Sequence, residues 1–310
     1  MDRAHLIPDR HGDLVRRAPL DARVYQIAVL ASLLAYGLVA LHFEVGAPQL
    51  LVTLVTAQLA QWACSRLNRL PFEPKSALIS SLSLCLLLRS PSLIAAAAAA
   101  AIAIGSKFVL RAGGKHVFNP TNFALVVMLV AGGGWVSPGQ WGAPAFMAFA
   151  IACMGTLVVT RAARADVTLA FLAAYAGVLF GWAAWLGQPV AIPLHRLQSG
   201  ALLLFAFFMI SDPKTTPDSR AGRIAFGVLV AAGAGVVQFG LYRTNPLLWS
   251  LVGCSLLTPL IDRLLPGPRY AWTRVSPRSG RTTGGDSHET ESASLPVPAH
   301  ARAGLAAGRP

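Results

Sequence analysis

Apolar residues along the chain come in stretches of up to about 20, separated by short islands that carry the charge. The stretches cover about 24–43, 48–66, 76–89, 92–110, 118–135, 142–160, 167–187, 199–211, 222–242 and 246–264. A helix needs about 20 apolar residues to cross roughly 30 Å of hydrocarbon. Backbone polar groups in lipid must be satisfied within the segment, and no barrel-like alternation is present, so each stretch predicts a helix. The expected fold is an all-α integral membrane protein with about ten transmembrane helices. The first stretch is too long for the core of a signal peptide and no small-residue cleavage site follows it, so it is expected to be a retained span.

Two stretches are short. Segments 76–89 and 199–211 correspond to only about 20 Å of helix and stop at Arg89-Ser90-Pro91 and Ser211-Asp212-Pro213. A short tilted helix in thinned lipid is one reading. The other is a pair of broken half-helices whose freed backbone groups line a cavity near the midplane. Spacing favours the second. Ser76-Ala77-Leu78 and Ser199-Gly200-Ala201 open the two segments, and Phe118-Asn119-Pro120 and Thr244-Asn245-Pro246 follow at similar intervals. The expectation is a 5+5 inverted repeat, with halves at about 24–135 and 142–264.

Charge refines this picture. The chain is 55% apolar and only 13% charged, against about a quarter for a soluble domain. Its net charge of +13 flanks the apolar stretches and lines no single face, which argues against nucleic acid as partner and for orientation in a lipid bilayer. With ten crossings and a cytoplasmic N-terminus, 23 of the 26 Lys and Arg residues fall on the cytoplasmic side. Both termini are therefore expected in the cytoplasm, with 1–23 as a cytoplasmic N-terminal segment, 24–272 as the transmembrane domain and the Arg-, Ser- and Gly-rich 273–310 as a disordered cytoplasmic tail.

The chemistry-bearing motifs are few. Cys64, Cys85, Cys153 and Cys254 form no CxxC pair and predict buried free thiols. Asn119-Pro120 and Asn245-Pro246 suit simple helix caps, or helix N-termini offering N–H groups to an anion, with Asn122 adding an amide. Ser211-Asp212-Pro213-Lys214-Thr215 is either a capped loop or an ionisable group below the membrane surface, with Lys214 or Arg223 as the natural partner of Asp212. Gly113-Gly114-Lys115-His116 lacks the phosphate-loop frame and suits a flexible basic loop. No catalytic residues and no metal ligands stand out, and chemistry, if present, requires a cofactor.

The run Ser199-Gly200-Ala201 through Phe207-Phe208-Met209-Ile210-Ser211-Asp212-Pro213-Lys214-Thr215, then Gly222-Arg223-Ile224-Ala225-Phe226-Gly227, closely resembles the signature of the NqrB/RnfD family. These are ten-span membrane subunits of the sodium-pumping NADH:quinone reductase and of the Rnf electron-transport complex. Phe118-Asn119-Pro120, Lys75-Ser76-Ala77-Leu78 and Pro259-Leu260-Ile261-Asp262 resemble further family motifs, and the similarity extends over about 24–272. The resemblance implies flavin-based electron transfer coupled to ion movement, other membrane subunits as partners, and the bacterial cytoplasmic membrane as location. Family members attach FMN to a threonine in a Ser/Thr-x-Ala-Thr motif between spans five and six. The corresponding loop here, 135–141, has no threonine, and that motif occurs nowhere in the chain, so covalent FMN is not expected.

The resemblance and the motifs together give a membrane redox subunit holding FMN or riboflavin non-covalently. Its candidate cofactor-binding residues are Asn119, Pro120, Asn122, Ser199, Gly200, Asp212, Pro213, Lys214, Thr215, Arg223 and Asn245. Two alternatives stand beside it. One is a transporter-like protein for a small solute or ion that has lost electron transfer, similar to stand-alone relatives in biosynthesis clusters. The other is a scaffold subunit without cofactor.

Overall fold

The structure is a computed structural model that describes residues 6–8, 14–16, 21–137 and 144–270. The expected tail 273–310, most of the segment 1–23 and part of the loop 135–141 lie outside the described residues. Twelve helices are described: α1 (Ala22–Val39), α2 (Ala47–Leu67), α3 (Pro74–Leu87), α4 (Leu93–Val109), α5 (Pro120–Val130), α6 (Pro144–Arg161), α7 (Ala165–Trp185), α8 (Ala191–Leu197), α9 (Gly200–Leu204), α10 (Arg220–Gly235), α11 (Pro246–Ser255) and α12 (Thr258–Leu264). Helices α9 and α10 each run on into one π-helical turn, Phe205–Met209 and Val236–Gly240. Three two-stranded ribbons complete the described elements: β1 (Leu6–Pro8) with β2 (Leu14–Arg16), β3 (Leu88–Arg89) with β6 (Trp135–Val136), and β4 (Arg111–Ala112) with β5 (Lys115–His116).

Local chemistry sets the helix boundaries. Asp21 caps α1 by accepting from the Arg23 N–H, Ser92 caps α4 from Ala95, and Ser219 caps α10 from Gly222. Proline occupies the first turn of α2, α3, α5 and α11, where its missing N–H costs nothing. The β4–β5 hairpin turns through Gly113 and Gly114, both at positive φ, as a tight two-residue turn requires. A hydrogen-bonded hairpin thus stands where a flexible loop was expected.

The core forms around two short helices. Residues 80–89 of α3 and its exit, and 202–211 of the α9 arm, are buried without interruption. The α9 arm is apolar throughout, whereas α3 buries Ser80, Ser81 and Ser83 beside its leucines. Helices α1 and α4 flank α3, α6 packs on α9, and α7 packs along α10. That last approach is close: a Cβ at Gly227 of α10 would sit 2.9 Å from the Val167 carbonyl oxygen of α7.

The expected ten-span, 5+5 inverted repeat is not the architecture. The fold is all-α, but among the described residues only α1, α7 and α10 with its π turn are long and apolar enough to cross a membrane. Counting the bent pairs α8–α9 (49°) and α11–α12 (51°) as one span each gives at most five. Helix α3 has 14 residues and α5 has 11, about 21 and 17 Å of rise, short of roughly 30 Å of hydrocarbon. Helix α2 has the length at 21 residues but is too polar overall, with Gln49, Thr53, Thr56, Gln58, Gln61 and Ser65 along it. The segments 76–89 and 199–211 are also unlike as structures. The first is a regular helix ending in a strand, whereas the second follows a bend and ends in a π turn. Apolar stretches of this kind arise equally in helices buried inside a bundle, so hydropathy overcounted the crossings.

Candidate functional site

A polar cavity of about 100 Å³ lies where α3 and α5 begin and where α4, α6 and the α9 arm end. Helix α3 supplies Ser76, Ser80 and Ser83, spaced along one helix face. Lys107 comes from α4 and His116 from β5. Asn119, Pro120 and Thr121 come from the start of α5, and Ser211, Asp212, Pro213 and Lys214 from the exit of the α9 arm.

Asp212 and Asn119 link two of these elements. Asn119 caps α5, its Oδ1 accepting from the Asn122 N–H at 3.0 Å. Its Nδ2 donates to Asp212 Oδ2 at 3.3 Å and to the Met209 carbonyl at 3.4 Å. The other carboxylate oxygen of Asp212 accepts from the Lys214 backbone N–H at 3.0 Å. The Asp212 carbonyl collects the N–H groups of Thr215 and Thr216, both at 3.1 Å, and their hydroxyls. Burial pushes the Asp212 carboxyl above the usual range, against the lowering effect of the Lys214 N–H and the Lys107 and Lys214 charges. Asp212 makes no ion pair among the described residues.

Arg223, one of its two expected partners, is engaged elsewhere. Its guanidinium forks onto Asp166 of α7, with Nη2 2.6 Å from Oδ2 and Nε 2.9 Å from both oxygens, and Nη1 bonds the Asp218 carbonyl at 2.7 Å. Lys214, the other, approaches through its backbone. The cation that sequence reasoning overlooked is Lys107. It is 4% exposed and donates from Nζ to Ser76 Oγ at 3.1 Å. A lone lysine three positions after Ile104 in an alanine-rich run was the available signal.

A second cavity, of about 380 Å³, lies at the other end of α3 and the α9 arm. From Ser76 to Leu87 along α3 the rise is about 17 Å. The walls are largely apolar, with Leu87, Leu202, Phe205, Met209 and Leu248 among them. Ser199, Arg196, Arg243 and Asn245 add polar groups, and the Tyr175 hydroxyl donates to Gln238 Oε1 at 2.7 Å. Met209 lines both cavities. The π turn that carries it widens the helix locally, and its Ala206 carbonyl accepts from Thr168 Oγ1 at 2.8 Å.

The eleven candidate residues therefore do not converge on one pocket. Asn119, Pro120, Asp212, Pro213 and Lys214 line the first cavity, and Ser199 and Asn245 the second. Thr215 is buried beside Asp212, Gly200 opens α9, and Arg223 lines neither. Asn122 donates to the Leu248 carbonyl at 3.2 Å and leaves Oδ1 buried without a partner. Asn245 adopts φ 56°, a left-handed conformation, and makes no side-chain cap, so the simple capping reading holds only at Asn119.

Residues 132–270 match the family model described as the NQR2, RnfD, RnfE family. The chain has a family-level match to RnfD/NqrB-type subunits of ion-translocating oxidoreductases. Over 86 residues it is 40% identical to an ion-translocating oxidoreductase complex subunit of Tolumonas auensis, covering 27% of this chain and 23% of that protein. The corresponding protein of Erwinia tasmaniensis is 31% identical over 137 residues, 43% and 36% of the two chains. That of Escherichia coli K12 is 32% identical over 152 residues, 48% and 40%. The matching part of the chain thus spans less than half the length of these curated relatives. The RnfD-type match includes the Asp212 turn and the second cavity's α9–α11 walls, while the motifs at Lys75 and Phe118 lie outside the matched residues.

Proposed function

We propose that the chain is a multi-pass membrane subunit of an ion-translocating electron-transport complex in the bacterial cytoplasmic membrane. Four arginines precede the first span and a fifth, Arg23, lies in its first turn, which favours a cytoplasmic N-terminal side. The observation that carries the proposal is Asp212. It is a partly buried carboxylate lining a polar cavity, held by amides and in no ion pair among the described residues. An ionisable group inside a membrane protein is costly and is retained where it handles charge. In this reading Asp212 takes and releases the ion, Asn119 fixes its carboxylate, and the serines of α3 line the approach.

The second cavity is the better fit for a flavin. Small-molecule sites occupy roughly 300–1,000 Å³, a range that includes about 380 Å³ and excludes the 100 Å³ around Asp212. We assign FMN or riboflavin, bound non-covalently, to that second cavity. Phe205 and Tyr175 would offer ring faces there, and Ser199, Arg196, Arg243 and Asn245 polar contacts. A bound flavin would supply one- and two-electron transfer, and the chain's part is to hold it and keep water away. The absence of Ser/Thr-x-Ala-Thr supports the non-covalent mode.

Electron-driven ion uptake by proteoliposomes containing the chain and its co-purified partners tests the proposal. Asp212→Asn is expected to abolish uptake while flavin content stays at the wild-type level. Uptake at the wild-type rate in Asp212→Asn contradicts the role of Asp212. Solute flux without any electron donor would favour the transporter reading.

A further inference from the structure

Apart from the two cavities above, a third of about 240 Å³ opens beside the β4–β5 hairpin, lined by Arg111, Lys115, His116, Lys214, Asp218 and Arg269 among others. Its charges do not cancel. Lys115 spends its three N–H donors on the Thr216 carbonyl (2.8 Å), Asp218 (3.0 Å) and Asp262 (2.8 Å). Asp262 also accepts the Asp218 backbone N–H at 2.8 Å. The nearby carboxylates are thus occupied by a lysine that serves to pin the hairpin against α12. The remaining cations, Arg111, Lys214 and Arg269, make no ion pair among the described residues. Arg111 Nη2 bonds only the Gly114 carbonyl, at 2.9 Å. The Arg269 guanidinium lies over the glycine turn, where a Cβ at Gly114 would be 3.6 Å from Nη1. His116 leaves Nδ1 buried with no partner.

We infer that this cavity binds a phosphate group, either the headgroup of an anionic phospholipid or a free phosphate. Arg and Lys side chains that make no ion pair among the described residues present the donors that phosphate oxygens take. The volume suits one phosphate group with a few waters at about 30 Å³ each and excludes a nucleotide with its base. Gly113 and Gly114, both at positive φ, make the tight turn that Arg269 overlies. The inference does not depend on the flavin or on Asp212.

The test uses the full chain in detergent micelles with two probes. Native mass spectrometry compares retention of phosphatidylglycerol and phosphatidylcholine, and thermal melting is followed as inorganic phosphate is added. Selective retention of phosphatidylglycerol with no response to phosphate assigns the headgroup, and a rise in melting temperature with phosphate assigns the free anion. The double variant Lys214→Gln, Arg269→Gln should weaken the responding probe about tenfold or more, one charge-assisted contact being worth about that factor. Arg269→Gln alone, at an exposed position, provides the same reading should the double variant fail to fold. Equal retention of the two lipids with no phosphate response overturns the inference, as does undiminished binding in a folded variant.

Discussion

His116 gives the chain a stability that depends on pH. Its imidazole sits in the β4–β5 hairpin with Nδ1 buried and unpartnered. Burial, and then the charges of Lys107, Arg111 and Lys214, push its pKa from 6.5 down to about 4, with a hydrogen bond to the Lys107 backbone acting in the opposite sense. Between these two values the unfolded chain takes a proton that the folded chain refuses. Stability from this group is therefore complete above pH 6.5 and lost as pH falls toward 4. At 1.36 kcal/mol per unit the full loss is about 3 kcal/mol. The perturbation is His116→Gln, which stays neutral throughout. Unfolding free energies of wild type and variant in detergent, followed by tryptophan fluorescence from pH 7.5 to 4, give the comparison. Other titrating groups are common to both proteins and drop out of the difference. The variant should gain on the wild type by about 3 kcal/mol across the window. Parallel curves, or a His116 titration midpoint near 6.5, would falsify the burial argument.

Gly155 of α6 faces the Phe207 ring, leaving no room for a Cβ. Gly155→Leu should therefore displace the π turn and cost about 1–3 kcal/mol, seen as a lower melting temperature, with Gly177→Leu as a control in open space. Arg223→Ala strands Asp166 half inside the α7–α10 pair and should cost about 3 kcal/mol. Arg223→Lys keeps the charge but loses the fork and should recover only part of that loss in denaturant titrations, with flavin content unchanged in both variants.

Several features were legible in the chain because they depend on near neighbours. Asn119-Pro120 announces a capped helix start, and α5 begins there with the Asn122 N–H on Asn119 Oδ1. The breaks at Arg89-Ser90-Pro91 and Asp212-Pro213 announce helix ends, and α3 and the α9 arm do stop before them. What remained hidden depends on distant partners. The Asp166–Arg223 fork joins residues 57 apart. Lys107 becomes a site residue only because α3 lays Ser76 against it. The π turns have no local signature, since they are set by packing and, at Ala206, by a hydroxyl from α7. Hydropathy marked the apolar stretches but not which of them cross lipid. The leucine-rich parts of the short helices α3 and α9 are buried inside the fold, and hydropathy does not separate such a helix from a span.

We propose a redox subunit with a loosely held flavin, and an absorbance spectrum of the purified protein decides the matter. Protein purified gently with its partners should be yellow, and the colour should pass into the filtrate when the protein is denatured. A colourless preparation contradicts the redox role, and colour that stays with the denatured chain contradicts the non-covalent mode.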